Sequence, residues 1–398
     1  MSKKHKIAFI VSSLNMGGAQ RAVSNIVMGL SDDWDIRLIL NTEENIVYPY
    51  KGEIVSLGIN GGGDRKGLLY QARVWFKRYR YVKRMKKNED FDAVVSFLDS
   101  ANILNLSTGR SGKNIVSVRA CLSQNKTWKY KYIVGPLIRA KYNKADYVVA
   151  LSEGVRVDLI RNYGLDPNKV VTIYNCYDVE DIFKKSRAQA SMTPDPSKFN
   201  IITAGRLCHQ KGQWHLVRAM KQVVINDPNV CLYIFGEGNL KDYLNELICE
   251  MHLENNVKVC DYAKDLYAIM GKMDLFVFPS LYEGLGNVLL EALSCGLPCI
   301  STDYESGAAE ILKAQCDIDI HCNDVEYADY GVLVPVMSAE HNGADDELEK
   351  EELILAKAIT AFAEDESLRK HYSEKALERA RFFSPESVIA QWEKIVQE

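Results

Sequence analysis

No run in the 398 residues approaches the ~20 consecutive apolar residues that a membrane-spanning helix needs. The sequence also lacks a positive excess: 49 Lys and Arg stand against 53 Asp and Glu, a formal net charge of −4. That balance argues against a dedicated nucleic-acid binder, whose affinity comes from neutralising phosphates. None of the ten cysteines falls in C-x-x-C spacing, and the closest pair, Cys295 and Cys299, only brackets an apolar stretch. A zinc ribbon or dithiol redox centre is therefore not expected, and the thiols are read as reduced and cytoplasmic. The basic start Met1-Ser-Lys-Lys-His-Lys before an apolar run imitates a signal peptide, but a buried first strand accounts for it better.

What is present is ordinary globular material, 47% hydrophobic and 26% charged. The length exceeds what one hydrophobic core usually serves, so two domains are expected. Short apolar runs bounded by turn residues at 6–14, 36–40, 93–98, 115–118, 147–151 and 170–174 read as buried parallel strands. Helical stretches at 20–30, 68–87 and 153–163 alternate with them, as in a doubly wound sheet. Residues 181–198 are polar and proline-containing, as linkers are. A second series follows, with strands expected at 200–204, 231–235, 257–259, 275–279, 299–301 and 332–335. The fold class expected is α/β, with two Rossmann-like doubly wound domains at 1–180 and 199–383 facing across a cleft. A closing helix at 384–398, with Ser384 as N-cap and Pro385 at its first position, is available to pack back on the first domain. Ligands of such sheets bind beyond the carboxyl ends of the strands, which is where chemistry-bearing residues are sought.

The most informative stretch follows the expected strand 275–279: Glu283-Gly284-Leu285-Gly286-Asn287-Val288, then Glu291 on a helix. The glycines allow a ligand close to the backbone, and the helix opens with free amides, a place for a diphosphate. Two carboxylates at different depths along the ligand suit a sugar at Glu283 and a ribose at Glu291. After strand 200–204, Gly205 and Gly212 bracket Arg206 and Lys211, a fork and a point charge able to neutralise a departing nucleoside diphosphate.

Together with Val171-Thr-Ile-Tyr-Asn175, Asn15-Met-Gly17-Gly18-Ala-Gln-Arg, Val95-Ser-Phe-Leu-Asp-Ser-Ala-Asn-Ile and Ser301-Thr-Asp-Tyr-Glu-Ser-Gly307-Ala-Ala-Glu310, these segments resemble family 4 retaining glycosyltransferases of the GT-B fold. The set is similar to bacterial enzymes that build polyprenyl-diphosphate-linked glycans or surface polysaccharides. The resemblance implies a UDP-sugar donor, a retained anomeric configuration and no cofactor or metal. It implies that Arg206 and Lys211 hold the diphosphate, Glu291 the ribose and Glu283 the sugar, with amides near Gly286 and Asn287 on phosphate and Gly17 and Gly18 opposite. Two departures stand out. Arg119 occupies the acceptor-side loop where many relatives place a histidine, and Cys260-Asp261-Tyr262 replaces a usual glycine.

Asp90-Phe-Asp92 and Asp317-Ile-Asp319 spell the D-x-D string of metal-dependent sugar transferases, a two-residue match that chance supplies; no metal is assigned. The acidic segment 345–352 is read as an exposed loop and helix start. On the helix 68–87, Arg73, Lys77, Arg80, Arg84 and Lys87 fall on one face, opposite Leu68, Ala72, Trp75, Tyr79 and Val82. This basic stripe with Arg119 is assigned to an anionic lipid surface or a lipid-linked acceptor, with the protein peripheral on the inner face of the membrane. Two rivals from other classes are an NAD-dependent oxidoreductase, disfavoured because no G-x-G-x-x-G follows the first strand, and a noncatalytic nucleotide-sugar-binding subunit of a membrane complex.

Overall fold

The computed structural model describes residues 5–15, 17–59 and 67–398, together with the backbone but not the side chain of Leu68. Met1 to Lys4, part of the basic start, and Met16 within the quoted Asn15–Arg21 segment lie outside the described residues. The chain divides into two compact units, Met1–Cys176 with Pro385–Glu398, and Tyr177–Ser384.

The first unit holds a seven-stranded parallel sheet: β1 (His5–Ile10), β2 (Trp34–Leu40), β3 (Glu53–Ser56), β4 (Ala93–Phe97), β5 (Lys113–Val118), β6 (Tyr147–Ala150) and β7 (Val170–Thr172), in the order 3-2-1-4-5-6-7. β4 is buried at every position, which is why its sequence is an apolar run rather than an alternation. Helices α1 (Gly18–Gly29), α2 (Leu68–Asn88), α3 (Asp99–Ser107), α4 (Gly135–Lys141) and α5 (Glu153–Tyr163) link the strands. Ser152 caps α5 through Val155 N, and Gly164 in the left-handed region ends it.

The second unit opens with α6 (Val179–Ser186), capped by Asp178. Residues 181–198, expected to be a linker, therefore include most of a helix belonging to this unit, whose apolar side (Val179, Ile182) is buried. The sheet comprises β8 (Phe199–Ala204), β9 (Val230–Phe235), β10 (Val257–Cys260), β11 (Leu275–Phe278), β12 (Cys299–Thr302), β13 (Glu326–Tyr327) and β14 (Val332–Val334), in the order 10-9-8-11-12-14-13. All pairs are parallel except β13 with β14. Its helices are α7 (Gln213–Asn226), α8 (Lys241–Glu250), α9 (Leu266–Met270), α10 (Asn287–Ser294), α11 (Ala308–Leu312), α12 (Lys350–Glu364) and α13 (Glu366–Phe382).

The acidic segment 345–352 does not end in solvent. Glu352 is fully buried, taking Arg218 Nε at 2.8 Å and His215 Nδ1 at 2.7 Å, and forms a capping box with Glu349. That hub fixes α12 to α7. The final helix α14 (Pro385–Gln397) belongs to the first unit: Val388, Ile389, Trp392, Ile395 and Val396 join the core of β1, β2 and β4. Among the described residues no helix is long and apolar enough to cross a membrane.

Candidate active site

β8 and β11 are neighbours where the strand order of the second sheet reverses, β9 and β10 continuing on one side and β12 and β14 on the other. Loops leaving the carboxyl ends of two such strands diverge and leave a crevice. The loop after β8 is held by Gly205 N to Phe235 O (3.0 Å) and Leu207 N to Glu237 O (2.9 Å), with Leu207 buried as its anchor. It ends in a 3-10 turn, His209–Lys211, and enters α7 through Gly212 at φ +58°. A Cβ at 212 would lie 2.3 Å from Pro279 O, so only glycine lets this loop rest on the one after β11. Leu281 N donates to Gln210 O (2.9 Å) and Gln210 Nε2 to Tyr282 O (2.9 Å), stitching the two loops together.

The result is an ion pair: Lys211 Nζ lies 2.6 Å from Glu283 Oε1, both side chains 14% exposed. The Lys211 ammonium also sits 4.6 Å from the centre of the Phe278 ring, and Ser280 Oγ donates to the same Glu283 oxygen at 3.3 Å. Arg206 leaves the same loop with an exposed side chain. Burial pushes the Tyr282 hydroxyl pKa up, the charges of Cys208 and Glu283 adding to the rise and that of Arg206 opposing it.

The loop into α10 is shaped from below by residues 302–307. Thr302 Oγ1 donates to Ser280 O (2.5 Å), Ser306 Oγ to Gly284 O (2.9 Å) and the buried Tyr304 hydroxyl to Leu285 O (2.9 Å). Gly286, at φ +94°, then starts α10, with Asn287 and Val288 as its first residues. Glu291 is buried one turn along α10, at 8% exposure. It lies only one turn into the helix because α10 begins at Asn287. Tyr304, Ser280 and Phe278 shape the site without having been singled out by sequence reasoning; the first lies in the quoted 301–310 segment, the other two at the end of β11.

The first unit carries the remaining candidates. Gly17 and Gly18 follow β1 and open α1, and the Gly17 amide donates to the Tyr48 hydroxyl at 3.5 Å. Arg119, just past β5, donates to Ser117 Oγ (3.2 Å) and to Asn175 Oδ1, with its guanidinium 5.4 Å from the centre of the Phe97 ring. Arg73, Lys77, Arg80, Arg84 and Lys87 are all exposed on α2. The opposite seam departs from expectation. Trp75 and Ala72 are exposed, while the buried side consists of Arg78, Val82, Met85 and Lys86, with Val74, Tyr79 and Tyr81 packed against the core. Leu68's side chain lies outside the described residues.

Of the two D-x-D strings, Asp92 accepts from Lys6 N (2.7 Å), and Asp317 from Asp319 N (3.0 Å) in a turn. Among the described residues no group of three or more His, Cys, Asp and Glu side chains could hold a metal ion. In the loop after β10, Asp261 pairs with Lys241 at 2.5 Å and Tyr262 is exposed.

Two family models match the chain, Glycosyltransferase Family 4 over residues 16–181 and Glycosyl transferases group 1 over 184–324. An uncharacterized glycosyltransferase of Methanocaldococcus jannaschii is 32% identical over 352 residues, covering 84% of this chain and 86% of its own. An N-acetylgalactosamine-N,N'-diacetylbacillosaminyl-diphospho-undecaprenol 4-alpha-N-acetylgalactosaminyltransferase of Campylobacter jejuni is 28% identical over 383 residues, 95% of each chain. Among solved structures, Anabaena HepE in complex with UDP and glucose superposes with a TM-score of 0.73 at 20% identity over 99% of both chains. Built from two Rossmann-like units and matched over most of its length by the 32% identical relative, the chain belongs to the glycosyltransferases of the group 1 and family 4 type, with the GT-B fold.

Proposed function

We propose that this glycosyltransferase moves a hexose or N-acetylhexosamine from a UDP-sugar to a saccharide carried on a polyprenyl diphosphate, keeping the anomeric configuration and using no metal ion. The observation that carries the reading is the Lys211–Glu283 pair at the carboxyl ends of adjacent strands, beside the start of α10. Lys211 and Arg206 supply two positive charges, and the α10 amides a third positive field, where a diphosphate leaving group gains charge. In a metal-dependent transferase a divalent cation does that work. Glu283 holds Lys211 in place and takes sugar hydroxyls; Glu291, buried one turn on, takes the ribose hydroxyls, with Gly284, Leu285, Gly286, Asn287 and Val288 lining the phosphates. Gly17 and Gly18, which open α1, are proposed as further donor-binding residues.

The acceptor hydroxyl attacks the anomeric carbon from the face the diphosphate is leaving. The C1–O bond to the β-phosphate breaks, the new C1–O bond forms, and the acceptor proton passes to a diphosphate oxygen. No side-chain base is needed on that route, consistent with Arg119, which stays charged at neutral pH and so serves the acceptor's anionic diphosphate instead. The exposed stripe of α2 meets anionic lipid, putting the protein on the inner face of the membrane. The Campylobacter relative, whose substrate is a diphospho-undecaprenol glycan, supports this acceptor class.

Saturation-transfer NMR against UDP-glucose, UDP-galactose, both UDP-N-acetylhexosamines, GDP-mannose and NADH tests the donor. Uridine contact that weakens in both Glu291→Ala and Arg206→Ala is expected; uridine signals absent throughout, or indifferent to the substitutions, would end the UDP reading. With the donor known, the anomeric coupling constant of the product reports the stereochemistry, and turnover in excess EDTA reports the metal requirement.

A further inference from the structure

Residues 100–145 contain nine Lys and Arg and not one Asp or Glu, in a chain whose formal net charge is −4. Within them, residues 125–133 run over the surface between two anchors. Upstream, Leu122 N and Ser123 N donate to the buried Asp158 at 2.8 and 3.2 Å. Downstream, the buried Tyr142 places its hydroxyl 3.1 Å from Asp99 Oδ1. Tyr130 alone turns inward, its hydroxyl 3.0 Å from Asp99 Oδ2. Its neighbours face out: Trp128 is 69% exposed, Tyr132 57% and Ile133 44%.

Lys126, Lys129 and Lys131 are exposed among them, with the Lys131 ammonium 5.3 Å from the centre of the Tyr132 ring and the Trp128 and Tyr132 rings 5.8 Å apart. The segment passes into a π-helical turn, Tyr130–Val134, a rare geometry concentrated at functional sites. A backbone pinned at both ends thus presents large apolar side chains to water, interleaved with lysines, where the core has no use for them.

The position of this patch gives it meaning. Asp99, which receives Tyr130, begins α3; the next residue, Ser100, receives Arg78 Nη1 of α2 at 2.8 Å. The 125–133 segment and α2, with its exposed Trp75 and Phe76, are therefore braced on consecutive residues at the carboxyl end of β4. Leu98, the residue before Asp99, is exposed in the left-handed region at φ +73°. This is also the sheet edge that carries Gly17 and Arg119.

We infer that residues 125–133 form a second foot on an anionic bilayer: Trp128, Tyr132 and Ile133 enter the headgroup layer, and Lys126, Lys129 and Lys131 sit on lipid phosphates. The aromatic and lysine mixture suits that boundary, and the lack of any acid suits a negative surface. The inference rests on the membrane reading above but assigns its own residues. Each lysine contributes about fivefold in affinity near an anionic surface, and the three apolar side chains add insertion that salt does not screen.

The full-length protein is titrated with vesicles of phosphatidylcholine, with and without one third phosphatidylglycerol, some carrying brominated acyl chains. Trp34, Trp214 and Trp392 are buried, so quenching by bromine reads Trp75 and Trp128. Quenching on anionic vesicles should fall in Trp128→Phe. The triple variant Trp128→Ser, Tyr132→Ser, Ile133→Ser should lose at least about tenfold in vesicle affinity, with circular dichroism unchanged. Binding that persists with quenching unaltered in Trp128→Phe would overturn the second foot while leaving the α2 contact standing. No binding to any vesicle would remove both. A triple variant that differs only in lost self-association would make this face an interface between copies instead.

Discussion

Position 286 shows how little freedom the loop into α10 has. A Cβ there would sit 2.4 Å from the Tyr304 hydroxyl, and Tyr304 cannot retreat because it is fully buried with its ring edge-on to Phe278. Gly286→Ala should therefore cost the second unit roughly 1–3 kcal/mol and weaken UDP binding together with stability; thermal denaturation with and without UDP checks both. The residues named from sequence at this site, Glu283, Lys211 and the glycines, were legible because charge and glycine crowd the ends of apolar runs. Their pairing was not, since Lys211 and Glu283 meet across two loops whose contact depends on Gly212. Arg206 and Lys211 stand at the two ends of one loop, Lys211 tied to Glu283 and Arg206 exposed.

Among the elements, α2 departs furthest from its pattern. A helix is assigned its buried side by its apolar residues, yet here Lys86 is the most elaborately satisfied group on the inner face. Its ammonium donates to Asn105 O (2.8 Å), Asn105 Oδ1 (2.6 Å), Gly109 O (3.0 Å) and Asn114 Oδ1 (2.8 Å). Asn105 in turn donates to Val94 O, Ser96 Oγ and Ile115 O, so one cation ties α2 and α3 to β4 and β5. Lys86→Met leaves these oxygens without a donor and should cost roughly 3 kcal/mol, lowering the first unit's melting midpoint by about 6–12 °C; calorimetry reads it. No local signal distinguishes Lys86 from Lys87, because its partners come from distant turns. The strands missed from sequence failed for the opposite reason. β3 and β13 are short edge strands, at most half-buried, so neither makes an apolar run. The short, charged α6 resembles a linker for the same lack of contrast, whereas the central strands, buried on both faces, stood out.

At the scale of the molecule, the chain returns at its end to the unit it began in. α14 lays Trp392, 2% exposed, against Phe97 at 5.9 Å between ring centres; Trp34 Nε1 donates to Glu393 Oε1 (3.0 Å) and Lys113 Nζ to Ile395 O (3.1 Å). Trp392→Ala should cost about 3–5 kcal/mol, and amide hydrogen exchange should show protection lost across β1, β2 and β4 but kept across β8, β9 and β11. The sequence showed the helix through its Ser-Pro start; that it completes the first core follows from contacts 282 and 359 positions apart, which periodicity does not register. There is a consequence for the newborn chain. Translation runs at about 5–20 residues per second, so the roughly 200 residues made between Cys176 and Pro385 hold the ribosome for about 10–40 s. Through that interval the nascent first half presents the apolar seat of Trp392 and Ile389 uncovered, and is a natural client for chaperones until the last helix emerges to close it.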